Sequence, residues 1–145
     1  MIRQTIHLDD WDWTIHAYYS VGHYYADEII DRLMDMGCKG KKLYRAYKNL
    51  KSGKMDTGLT YSNPRQRETV MVVGYASSGA ELFNSLVHEM RHVEEHITTA
   101  DGIEPYGEDV AYLTGDLGKE VYRCVSRLLC DCCRKHEPSI ELTLW

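Results

Sequence analysis

The sequence predicts an α+β domain with a short twisted sheet and a long C-terminal helix, and three patterns carry that reading. Trp13, Ile15, Ala17, Tyr19 and Val21 alternate with Thr14, His16, Tyr18 and Ser20, the period of a strand with two unlike faces. Thr-Val-Met-Val-Val-Gly-Tyr at 69–75 is a compact strand-like run. Leu82, Leu86, Met90, Val93 and Ile97, and later Tyr106, Val110, Leu113, Leu117, Val121, Cys124 and Leu128, fall at helical spacing.

Taken in chain order, Ile6 and Leu8 suggest a shorter partner for the first strand, and the acidic Asp9, Asp10 and Asp12 suit a turn, so residues 3–20 read as a hairpin. Ala26, Ile29, Ile30 and Leu33 then predict a helix that stops at Gly37. Leu43, Tyr44, Tyr47 and Leu50 predict a second that stops at Gly53. Residues 58–61 and 69–75, joined by Ser-Asn-Pro-Arg-Gln-Arg, form the expected second hairpin. Ser78 and Glu81 have the spacing of a capping box, which opens a helix over about 79–98. Asp101 and Gly102 break it, and Pro105 suits the first turn of the final helix.

With 145 residues and neither an internal repeat nor a low-complexity segment, residues 1–145 read as one domain. A chain of this length buries roughly 70% of its unfolded surface on folding and needs no metal or disulfide merely to fold. The net charge of −5, without a long run of Lys or Arg, argues against a protein that works by neutralising nucleic-acid phosphates. The first residues lack the basic start and apolar core of a signal peptide, and no apolar run is long enough for a membrane span. A cytoplasmic location is the expectation. Five cysteines, three of them crowded at Cys130, Cys132 and Cys133, do not resemble an extracellular disulfide framework, and reduced thiols are expected.

The chemistry concentrates in His88-Glu89-Met90-Arg91-His92. Histidines four apart on a helix project from one face and can place two imidazole nitrogens on one metal ion. The intervening Glu89 then stands where it can take a proton from a metal-activated water. With seven His and eleven Glu in the chain, such a pentapeptide arises by chance on the order of a few times in a hundred chains of this length. The mid-helix position and the carboxylates on the next helix strengthen the functional reading. His96 repeats the spacing, but on a straight helix it lies roughly 12 Å from His88 and reads as an ordinary polar residue.

These residues resemble the gluzincin group of zincin-like metallopeptidases, in which the His pair and Glu of one helix are completed by a Glu from a following helix. The second segment, Gly-Glu-Asp-Val-Ala-Tyr-Leu-Thr-Gly at 107–115, is similar to the Glu-x-x-Ala signature of several small zincins, with Glu108 and Ala111 as the counterparts. The resemblance spans roughly residues 69–118, and the helix departs from its pattern at Arg91 and Glu94. It implies a zinc ion held by His88, His92 and Glu108, Glu89 as general base, and a peptide or protein substrate. Small zincins of this kind resemble proteins of bacteria and their mobile elements.

Glu108 shares a helix face with Ala111 and Gly115, small residues that let helices approach closely, whereas Asp109 points about 100° away. Asp109 and Glu104 remain the alternatives for the third ligand. Tyr112, one turn after Glu108, is a candidate oxyanion donor, with an ordinary core role as the competing reading. The resemblance implies that the strand at 69–75 offers an edge along which an extended substrate pairs, with an ordinary sheet strand as the equal alternative. Arg91 is expected to pair with Glu95 one turn on. Two other functions stay open: a non-catalytic module whose zinc staples two helices and whose surface binds a protein, and a metal-free interaction domain.

Overall fold

A computed structural model of the chain describes residues 1–53 and 58–129. The fold is α+β, a four-stranded mixed sheet with two helices on each face. The strands are β1 (Ile2–Leu8), β2 (Trp13–Val21), β3 (Gly58–Asn63) and β4 (Glu68–Gly74). Between the hairpins come α1 (Ala26–Asp35) and α2 (Gly40–Ser52), and after them α3 (Gly79–Asp101) and α4 (Glu108–Val125). Strand order is β1-β2-β4-β3: both hairpins are antiparallel, and β2 joins β4 in parallel with Ala17 opposite Met71.

This order corrects one expectation. The strand at 69–75 is not an edge, because β4 lies between β2 and β3 and has Val70 to Val73 buried on both sides. Continuous apolar runs are what an interior strand covered on both faces requires. The free edge next to α3 belongs to β3, all six residues of which are half-buried.

The two faces of the sheet build two cores. Ile15, Ala17, Tyr19, Met71 and Val73 meet Leu86, Met90, Val93 and Ile97 of α3 and Leu113, Leu117 and Val121 of α4. Tyr18, Val70 and Val72 meet Ile29 and Leu33 of α1 and Ala46 and Leu50 of α2. Strand β2 obeys its predicted alternation through Tyr19 and then breaks it. Ser20 takes a φ of 56° at a register shift, and the extra residue turns Val21 to the α1 side, although its odd number predicts the other face.

Helix α3 starts as predicted, with the Ser78 side chain accepting the Glu81 amide at 3.2 Å, and runs to Asp101, where Gly102 at φ 65° closes it. Helix α4 begins later than predicted. Pro105 lies in the connecting turn and Gly107 is the N-cap. The end of α3 is tied to the loops beyond the sheet by Arg67, in the β3–β4 turn. Its guanidinium donates to Asp101 at 2.8 Å and to the Trp11 carbonyl at 2.6 Å, and lies 5.1 Å over the Trp13 ring. Among the described residues no helix is long and apolar enough to cross a membrane.

Candidate functional site

Helix α3 packs on β4 and β3, and its flank toward the β3 edge carries the polar residues of the helix's middle. The cause is the alternation in β3. Leu59 and Tyr61 turn toward α1 and α2, so the intervening Gly58, Thr60 and Ser62 turn toward α3. A polar or missing side chain at each of those three positions leaves room for polar groups on the helix.

Glu89 occupies the first part of that space. It is 2% exposed, and Thr60 donates its hydroxyl to Oε2 at 2.7 Å. Gly58 makes the room: a Cβ there would lie 2.9 Å from Glu89 Cγ and would also strike the Val72 carbonyl oxygen. Two turns on, Ser62 meets His96 Nδ1 at 2.8 Å and Thr69 at 2.7 Å, and Thr69 accepts the Trp13 indole N–H at 2.8 Å. His96 is thus tethered to the sheet. Its pKa is lowered, first by burial and then by neighbouring His92, with Lys42 adding and Glu95 opposing.

His88 and His92 flank Glu89 at the rim. Their Nε2 atoms are 3.2 Å apart, with ring centroids 4.9 Å apart at 74°. Two nitrogens at about 2.0–2.1 Å from one tetrahedral zinc stand about 3.3 Å from each other, so the pair has the span of two ligand positions. The same distance suits an N–H···N hydrogen bond between neutral rings. His92 Nδ1 lies 4.0 Å from Glu95 Oε2, so the ring turns Nε2 to His88 and its other nitrogen toward a carboxylate, an orientation found in metal-ligating histidines.

The expected third ligand is placed elsewhere. Glu108 is exposed at the start of α4, and among the described residues no three His, Cys, Asp or Glu side chains converge as metal ligands. The reason lies in which face of α4 packs. Ala111 and Gly115 face outward, a Cβ at Gly115 would meet nothing within 4 Å, and the apolar stripe of Val110, Leu113 and Leu117 faces the core. The close approach is made instead by Gly118, whose Cβ would sit 3.8 Å from Met90. Asp109 lies with Tyr112 in a surface hollow beside Trp11 and Asp101, at the far end of α3, so neither faces the histidine pair. Glu104, in the α3–α4 connection, is exposed.

Arg91 pairs with Glu94 at 3.4 Å rather than with Glu95. Glu94 is buried and has its charge met there, whereas Glu95 turns to the histidines. Cys38 and Cys124 are free thiols, and the cluster Cys130, Cys132, Cys133 lies outside the described residues. The β3 residues Gly58, Thr60 and Ser62 were absent from the sequence-derived site. Their alternation with Leu59 and Tyr61, polar on the side that meets a helix, is the signal that marks them. No family model matches the chain, and neither a curated protein nor a solved structure is significantly similar to it.

Proposed function

We propose that the protein is a zinc-dependent hydrolase acting on peptide bonds, with its reactive centre at the His88–Glu89–His92 flank of α3. The observation that carries this reading is the 3.2 Å separation of the two Nε2 atoms on a helix whose intervening Glu89 is a buried carboxylate. Zinc, when bound, supplies a Lewis acid that polarises a carbonyl and makes water a stronger acid. His88 and His92 would hold two of its positions, with His92 oriented by Glu95. Glu89, fixed by Thr60 through one oxygen, keeps its other oxygen for a proton of water and is the general base. Glu108 is exposed at the start of α4 and does not converge with them, so the remaining positions would fall to groups that this arrangement does not assign.

The non-catalytic alternative, a zinc that staples two helices, needs ligands from both. It predicts tightly held zinc without hydrolysis of any peptide, because a catalytic zinc keeps an exchangeable position. The deciding experiment is zinc content per chain in protein purified without added metal, followed by digestion of a mixed peptide library read by mass spectrometry. About one zinc per chain and cleavage that disappears in Glu89→Gln are expected. Protein that neither contains zinc nor takes it up would end the proposal.

A further inference from the structure

Along the free edge of β3 runs a cleft of about 530 Å³, walled by α2 on one side and by the C-terminal half of α3 on the other. Its floor is the strand itself, Leu59 to Ser62. Lys42 and Arg45 stand on the α2 wall, and Glu95 and His96 on the α3 wall. Among the described residues neither Lys42 nor Arg45 has a carboxylate within 4 Å, and Glu95, the acid on the opposite wall, is directed to His92. The two cations belong to a stretch between Asp35 and Asp56 that carries Lys and Arg but no Asp or Glu, in a chain whose net charge is −5.

A strand at the edge of a sheet is a template for one more strand. In a strand laid beside β3, successive side chains point alternately to the α2 and α3 sides. Those on the α3 side meet Glu95, His96 and Thr99, one turn and more beyond His92; those on the α2 side meet Lys42 and Arg45. We infer that this cleft binds an extended peptide as a fifth strand on β3 and selects acidic side chains at alternate positions through Lys42 and Arg45. Binding of nucleic acid to the same cations is disfavoured by the geometry, since the cleft is floored by a strand edge and has an acid on one wall.

As the substrate site of a hydrolase the cleft rests on the function proposed above. As a peptide site it is measured without metal or turnover, so the two readings fail separately. The probe is a fluorescein-labelled Val-Glu-Val-Glu-Val-Glu peptide, titrated with the metal-free full chain in the presence of a chelator and read by fluorescence anisotropy. The Glu peptide is expected to bind roughly tenfold or more tightly than its Val-Lys counterpart. Lys42→Glu with Arg45→Glu, both exposed and therefore tolerated by the fold, should remove that preference. N-methylation of alternate backbone amides should weaken binding strongly in one of the two phases and little in the other, because only one set of amides faces β3. Equal binding of the two peptides, equal effects of the two methylation phases, or tighter binding of a single-stranded oligonucleotide of the same charge would each overturn the inference.

Discussion

The Nε2 atoms of His88 and His92 stand 3.2 Å apart on the exposed flank of α3, and His96, the next histidine in the same spacing, turns its Nδ1 to Ser62. The three rings therefore divide into a converging pair and a tethered third. Only the pair has the span of one ion's ligands. His88→Ala and His92→Ala should each reduce zinc, measured by elemental analysis after dialysis, to well below one per chain, while His96→Ala keeps it. Equal loss in all three variants would make His96 a ligand and remove the distinction drawn from Ser62.

Glu89 is a buried carboxylate with Thr60 as its side-chain donor, and the two should be energetically coupled. Thr60→Val removes the donor and leaves the acceptor buried, at a cost of about 1–3 kcal/mol in the metal-free protein. Glu89→Gln removes the charge that must be buried, so the same Thr60→Val change should cost less in that background. Urea unfolding of the two single variants and the double variant measures the coupling. Strictly additive costs would mean that the hydroxyl is not what holds the carboxylate.

Periodicity made the element order legible, because local patterns dictate it. The hairpins, the Gly37 and Gly53 stops and the Ser78 cap all lie in short stretches whose chemistry has one good solution. Strand order was not readable in the same way: the apolar run of β4 says that it is covered on both faces, but which neighbour leaves an edge free depends on the parallel pairing with β2. The His88, Glu89 and His92 grouping was visible because one helix fixes it. Glu108 depended on which face of α4 packs, and small residues at Ala111 and Gly115 lost to the larger apolar area of Val110, Leu113 and Leu117. Thr60 and Ser62 come from a different element and become neighbours of Glu89 and His96 only when β3 takes the edge.

Gly58 leaves the space into which the Glu89 side chain fits. A methyl group there meets both the Val72 carbonyl oxygen, which is backbone and cannot rotate away, and Glu89 Cγ at 2.9 Å. Gly58→Ala should destabilise the protein by about 1–3 kcal/mol, read from its urea midpoint. Shortening the acid in a Glu89→Ala background should recover only part of the loss, since the clash with β4 remains. Full recovery would place the whole of the conflict at Glu89, and an unchanged midpoint would show that β3 does not need its glycine.

His96 links acid sensitivity to this same flank. Burial is the first cause of its lowered pKa, with His92 and Lys42 also disfavouring the proton and Glu95 favouring it. A histidine whose pKa in the fold is below its ordinary value of 6.5 binds more proton when unfolded, so the stability it allows is intact above about 6.5. That stability is lost progressively as the pH falls from there toward the folded-state pKa, below which the loss is complete. His96→Gln removes the titrating group at a half-buried site. In metal-free protein, the fall in urea midpoint between about pH 7.5 and about pH 5.5 should be smaller in His96→Gln than in wild type, with the other histidines common to both. The same fall in both proteins would assign the acid sensitivity to groups other than His96 and would mean that burial beside His92 does not hold the ring neutral.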